Sequence, residues 1–463
     1  RDRLRSRGLG DVYKRQIILC CLTSFPLWSY NVNMIVEHYS VDQGLPNNTV
    51  NCTLKDRDGF IWFGTWYGLC CFDGVKFKTF NKQEHDSDVP PRKIQRIVED
   101  KNGYIWVKTI DRKLYVFNKV TECFHAVYDD MKNYSENIQV IKLQNTAEGD
   151  VLLLTKDKNL LLTGVDEKGQ VTIKILFDSR DEINKHDYTL KHHVLCETEE
   201  YISWIGTDYK VSAVHKGAEL ASRPADFITS KINSGDKDSF TSFFEDGRKV
   251  WVGDRAGIFY SIDVRTGLVN RYVLSEIKGA ISNLLVTPAG YVYLSVAGQG
   301  TYEYDLAERR LQKINTEMND AMVTHAFIDQ YDKIWFHENE KALIYYDPLN
   351  HTAKRFPFTM FGKITTLYSE DAGERGLFFL SPAGEAWLFD REHAEMVYIN
   401  KLKQLSNDRA NQQFYHLMLD NDGVLWLSSA DEGVYCMNFP KKQFNLLSLS
   451  PQSAGQELSL IHI

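Results

Sequence analysis

Lys55-Asp56-Arg57-Asp58-Gly59-Phe60-Ile61-Trp62-Phe63-Gly64-Thr65-Trp66-Tyr67-Gly68-Leu69-Cys70-Cys71-Phe72-Asp73 reads as two strands joined by tight turns. Asp-x-Asp-Gly is turn chemistry, because the carboxylates accept nearby backbone N–H groups and Gly takes φ > 0 without a Cβ clash. Phe60 to Thr65 is an aromatic and β-branched run bounded by turn residues, the pattern of a short buried strand. Tyr67-Gly68 turns the chain again, and Leu69 to Phe72 begins the next strand.

The unit recurs. Asp100-Lys101-Asn102-Gly103-Tyr104-Ile105-Trp106 is a second copy, followed by Ser203-Trp204-Ile205-Gly206-Thr207 and Asp246-Gly247-Arg248-Lys249-Val250-Trp251. Asp332-Lys333-Ile334-Trp335-Phe336 and Asp420-Asn421-Asp422-Gly423-Val424-Leu425-Trp426 complete the clear copies. Weaker copies put Leu152, Tyr293 and Phe378 at the Trp position. The nine anchors are 62, 106, 152, 204, 251, 293, 335, 378 and 426, with gaps from 42 (251 to 293) to 52 (152 to 204). A period in the forties with about four short strands per unit is the signature of a β-propeller blade. The expected fold is all-β, a propeller of four-stranded blades. Trp62, Trp106, Trp204, Trp251, Trp335 and Trp426 are expected in the core between blades, since rings of that size bury much apolar area. The Asp-x-Asp-Gly turn also looks like the opening of a calcium loop, but the further oxygen ligands are missing. No metal or cofactor is expected.

Val36-Glu37-His38-Tyr39-Ser40, ahead of the first copy, reads as a strand without partners of its own. A lone strand in that place completes the last blade and removes the sheet edge. Short helices are expected around Asn407 to Gln413 and Asp181 to Lys185.

The two ends read differently. Asp11-Val12-Tyr13-Lys14-Arg15-Gln16 and Leu458-Ser459-Leu460-Ile461-His462-Ile463 can be encoded by one short DNA word and its reverse complement, a word that looks like a sequencing adapter. Residues 1–16 and 458–463 are therefore set aside as artefact, and the remainder is expected to be a fragment. Residues 17–30, from Ile17 through Trp28, read as the apolar remnant of a secretory signal, too short to span a bilayer. The formal net charge is −8, and it becomes more acidic once the basic first 16 residues are removed. No basic stripe remains, so nucleic acid and anionic membrane surfaces are poor partners.

Catalytic constellations with good spacing are missing: there is no Gly-x-Ser-x-Gly elbow, phosphate loop or His-Glu-x-x-His. His192-His193 would point to opposite faces of a strand. Six cysteines lie beyond the signal (Cys52, Cys70, Cys71, Cys123, Cys196 and Cys436), without zinc spacing, and no pairing is assigned.

Gly44-Leu45-Pro46-Asn47-Asn48-Thr49-Val50 with Asp58 to Leu69 resembles the two-component regulator propeller repeat, the periplasmic sensor part of hybrid two-component systems. The resemblance covers nearly all of residues 17–457. It implies seven-bladed rings, followed in the full receptor by a β-sandwich, a membrane helix, a histidine kinase and a response regulator. It also implies an oligosaccharide ligand from polysaccharide breakdown, a homodimer, and attachment to the membrane only through a C-terminal part absent here. Nine copies exceed one seven-bladed ring. The preferred division gives residues 31–355 to a first propeller and 356–457 to the first blades of a second, truncated one. A competing division follows Gly433 to Phe439.

Two function classes follow. The first is a non-catalytic sensor. The second is a secreted glycan-acting propeller enzyme of the sialidase or lyase kind, against which the lack of a repeated Arg counts. For a ligand, the turns between second and third strands and the loops entering each blade share one face. That face is expected to carry Trp66, Tyr67, Asn47, Asn48, Asp208, Tyr209 and Arg255, with Glu338 and Asn339. Aromatic rings beside amides and carboxylates suit sugars, whose C–H faces stack while hydroxyls find polar partners.

Overall fold

The structure, a computed structural model, describes residues 35–80, 90–132, 139–157, 159–177, 190–198, 200–206, 210–217, 227–231, 240–314, 323–338, 341–357, 368–371, 376–381, 386–399 and 414–438. Among these residues it holds nine four-stranded sheets, eight of them running in chain order. The strands beside one another are antiparallel, as in sheet one, whose second strand Ile61–Thr65 lies between Val50–Lys55 and Gly68–Phe72. Helix is confined, among the described residues, to one 3₁₀ turn at Val41–Gln43 and the four residues Tyr128–Met131. None is long and apolar enough to cross a membrane. The segments expected to be helical at 181–185 and 407–413, the two ends and the signal remnant lie outside the described residues.

All nine anchors fall on the second strand of a sheet. Those strands are Ile61–Thr65, Ile105–Thr109, Val151–Thr155, Tyr201–Gly206, Lys249–Asp254, Tyr291–Val296, Ile334–Glu338, Leu377–Leu380 and Val424–Ser429. The side chains of Trp62, Trp106, Leu152, Trp251, Tyr293, Trp335, Phe378 and Trp426 are buried; that of Trp204 lies outside the description. The turn carboxylate explains why Trp and Asp recur together. Asp56 Oδ1 accepts the N–H of Asp58 (3.0 Å) and Phe60 (2.9 Å), which closes the turn. Its other oxygen, Oδ2, accepts the indole N–H of Trp62 at 2.8 Å. The same bond joins Trp106 to Asp100, Trp251 to Asp246, Trp335 to Asp329 and Trp426 to Asp420, at 2.7–3.2 Å. Each buried indole donor is thereby satisfied by the turn that starts its strand, as buried polar groups must be.

Consecutive sheets pack face to face through shared apolar cores. Trp62, Ile94 and Phe117 belong to one between sheets one and two, and Trp106, Leu143 and Leu153 to the next. Gly64 fits this seam because a Cβ there would stand 2.6 Å from Ile94 Cγ2 and meet Cys52 Sγ. Gly253 repeats the arrangement against Ile281. Hydrogen bonds cross the seams too: Asn51 Nδ2 donates to Ile94 O and Thr241 Oγ1 to Ile281 O, both at 2.6 Å.

The series runs on past residue 355 in the same pattern. Val36–Asn438 is one compact unit, and sheets seven and eight share a core of Trp335, Phe356, Phe379 and Phe389 like every earlier pair. The nine sheets match the nine copies of the repeat. The ninth packs on the first through Trp426, Val50 and Phe63. Strand Ile35–Tyr39 is the fourth member of that ninth sheet, beside Val434–Asn438, as the unpartnered strand ahead of the first copy suggests.

Cys52, Cys70, Cys123 and Cys436 are free and buried. Burial pushes the thiols of Cys52 and Cys70 up to about 12, so they pack as small apolar groups. Native protein at pH 8 is expected to resist alkylation at both, and urea-unfolded protein to take the label fully. Mass spectrometry reads the difference.

Candidate functional site

The meander leaves the turns between second and third strands at one end of every sheet. In sheet one that turn is tied by Thr65, fully buried, whose hydroxyl donates to Gly68 O (2.8 Å) and accepts the Tyr67 N–H (3.1 Å). The bracing raises Trp66 and Tyr67 to 44% and 63% exposure. Each ring is flanked by a cation from the loop entering sheet two. Lys93 Nζ lies 5.3 Å from the Trp66 ring and Arg92 Cζ 5.9 Å from that of Tyr67, within cation–π range. The backbone is continuous across this edge. Trp66 N–H donates to Thr49 O, Lys93 N–H to Trp66 O, and Ile110 N–H to Lys93 O, at 2.9–3.2 Å.

Asn47 and Asn48 sit beside this turn but with another duty. Asn47 Oδ1 accepts the N–H of Thr49 and Asn48 Oδ1 that of Val41, each at 2.8 Å. Their carboxamide oxygens hold the loop. Arg255 is exposed on the matching turn of sheet five, where buried Asp254 accepts the N–H of Ala256 (2.9 Å) and Ile258 (2.8 Å). Asp208, Tyr209 and Asn339 lie outside the described residues. Glu338 is buried and gripped by Arg355 Nε (3.1 Å) and Nη2 (2.9 Å), so it is a structural carboxylate.

A basic group on sheet two escaped the sequence reading. Lys108 occupies the place of Gly64 in the second copy and is 7% exposed. Its Nζ donates to Gln95 Oε1 (2.9 Å) and Ile141 O (2.7 Å), both neutral. Arg96 is its register partner on the first strand, and Arg112 stands on the following turn. Among the described residues none of the three is paired with a carboxylate. Burial first, then the charges of Arg112 and Arg96, push Lys108 down to about 8. The departure from Gly in Trp-Val-Lys-Thr was the available signal.

The carboxylates of Asp56, Asp58 and Glu99 converge closely enough to hold a cation. Lys119 Nζ fills that centre, at 3.0, 2.7 and 2.8 Å from the three. Burial works against its charge, but the bonds to Asp58, Glu99 and Asp56 prevail and hold it above the usual lysine range. The turn therefore uses an ammonium group where a calcium loop would use a metal.

The family model described as two component regulator propeller matches residues 44–67, a window holding Asn47, Asn48, Trp62, Trp66 and Tyr67. The chain carries a two component regulator propeller repeat. Among solved structures, it is similar to the extracellular domain of the hybrid two component system BT4673 from B. thetaiotaomicron. Identity is 15% over 86% of this chain and 65% of that chain, with a TM-score of 0.34. The corresponding domain of BT3049 from the same organism gives 14% identity, 85% and 58% coverage and a TM-score of 0.33. Virginiamycin B lyase from Staphylococcus aureus gives 9%, 77% and 97%, with a TM-score of 0.37. No curated protein matches the chain. The matched regulator propeller window places the exposed aromatic pair inside the repeat itself.

Proposed function

We propose that this chain is the periplasmic ligand-sensing region of a hybrid two-component receptor, non-catalytic itself and dimeric in the whole protein. The observation that carries the reading is the regulator propeller repeat at residues 44–67. The ligand is an oligosaccharide laid across Trp66 and Tyr67. The cations Lys108, Arg96 and Arg112, with Lys93 and Arg92 beside the rings, favour sugars bearing a carboxylate. An anion on that edge gains from several positive charges in an otherwise acidic protein.

Calorimetric titration of the full periplasmic region with uronate-containing and neutral oligosaccharides tests this. Removing both rings (Trp66→Ala with Tyr67→Ala) forfeits two stacking contacts of about 0.5–1.5 kcal/mol each, so affinity should fall about tenfold or more. Lys108 loses its proton as pH rises through about 8, so uronate affinity should decline above that pH and neutral-sugar affinity should not. Full affinity in a folded double variant would move the site elsewhere.

A further inference from the structure

Sheet six abandons the Trp–Asp bond. Its anchor is Tyr293, and Thr287 stands where Asp56, Asp100, Asp329 and Asp420 stand in their copies. The phenol reaches instead to Glu303, its register partner on the third strand, with OH to Oε2 at 2.9 Å. From sheet seven, Tyr346 OH donates to the same oxygen at 3.3 Å and meets His351 Nδ1 at 3.1 Å. Since that hydroxyl's single proton goes to Glu303, His351 supplies the N–H of the second bond. The exchange opens a cavity of about 360 Å³ between the two sheets, lined by Glu303, His351, Tyr291, Tyr293, Tyr331 and Leu349 among others. It opens among the first-to-second and third-to-fourth turns, away from Trp66 and Tyr67.

We propose that this cavity binds a small organic cation, its ammonium group seated against Glu303 and its carbon skeleton against the tyrosine rings. Charge balance favours a cation over a neutral guest. Glu303 is 6% exposed, and its two hydrogen-bond donors are neutral phenols. Lys333, which also lines the cavity, is committed to Asp347 at 2.7 Å. Arg391, stacked on Tyr331 at 4.3 Å, is committed to Asp329 (2.6 Å) and Asp371 (2.7 Å). Among the described residues Glu303 therefore has no cationic partner, a state that costs several kcal/mol for a buried charge. An ammonium ion supplies the missing charge, and tyrosine faces attract it further. A neutral sugar would find a hydrogen-bond acceptor but leave the carboxylate uncompensated. This site stands apart from the sensor reading, and the failure of either leaves the other intact.

Calorimetry on the whole chain at pH 6.5 with methylammonium, choline and glucosamine, against glucose as the neutral match of glucosamine, decides it. At least one amine should bind and glucose should not. Glu303→Gln, which keeps shape and removes charge, should weaken amine binding tenfold or more. If that variant does not fold, Tyr331→Ala takes its place, because Tyr331 is 43% exposed and its removal spares the core; a fall of about threefold or more is expected there. Silence from every amine, glucose binding as well as glucosamine, or unchanged amine affinity in whichever variant folds would each overturn the proposal.

Discussion

Trp62→Ala should lower the unfolding free energy by about 3–5 kcal/mol, the range for large aromatic truncations in packed cores. The indole is 3% exposed and lies 5.4 Å from the Phe80 ring and 5.6 Å from Phe117 across the seam to sheet two. Its removal leaves a cavity between two rigid sheets and also strips a donor from Asp56, which is 5% exposed. Asp56 Oδ2 keeps the Lys119 ammonium at 3.0 Å, so what goes is one hydrogen bond to a charged group, about 1.5–3 kcal/mol. The two contributions can be separated. Trp62→Phe keeps most of the ring and deletes only the N–H, and should cost about 1–3 kcal/mol. Trp62→Phe and Asp56→Asn should then be non-additive in a double-mutant cycle, because they remove the same bond. Urea unfolding curves give the numbers, and an unchanged midpoint for Trp62→Ala would take the ring out of the core.

The strand that carries each repeat was legible because its signal is local. A Trp, an apolar neighbour and a turn before them fix one strand, and the period in the forties places nine of them. The partner of each indole was harder to see. Turn preferences account for Asp56 Oδ1 and its two backbone donors, but nothing in them says that Oδ2 reaches Trp62 six residues on. The chain's own variation held part of the clue: the copies that lose the Trp to Leu152 or Tyr293 carry Thr146 or Thr287 in place of the Asp, although the copy of Trp204 carries Thr198 there. The spacing from Trp335 to Phe378 is that of any other pair, so the nine copies are legible in the chain while a division of them at 355 rests on the resemblance alone. Closure of the series depends on contacts such as His38 Nε2 with Glu432 O at 2.6 Å, 394 positions apart. At the candidate face, exposure of Trp66 and Tyr67 followed from their turn. The inward commitment of Asn47 and Asn48 did not, since Asn serves equally as a ligand group and as a loop clasp. Lys108 went unnoticed because the repeat reads its position as packing.

Gly433→Ala should cost about 2–6 kcal/mol, although it adds a single methyl group. Gly433 ends the turn before Val434–Asn438 with φ at +93°, a region that carries strain for any L side chain. A Cβ there would run into the carbonyl oxygen of Tyr39 and stand 3.2 Å from Ser40 Cα. Those atoms cannot give way freely. The Tyr39 ring lies 5.0 Å from Phe72, 5.5 Å from Phe77 and 6.4 Å from Trp426, and the Gly433 N–H donates to Asn48 O at 2.9 Å. One residue thus joins the N-terminal strand, the ninth sheet and the loop entering the first. Backbone strain of about 1–3 kcal/mol adds to overpacking of similar size. The relief open to the molecule is to release Ile35–Tyr39, which bares an unpaired edge on Val434–Asn438 and invites association. Hydrogen exchange should show those five amides losing protection before any other strand. Gly290→Ala is the control, since Gly290 has φ at +87° and open space within 4 Å of where the methyl group would stand, and should cost only the strain. Equal losses at 290 and 433 would assign the whole effect to the backbone angle and leave the seam without a role.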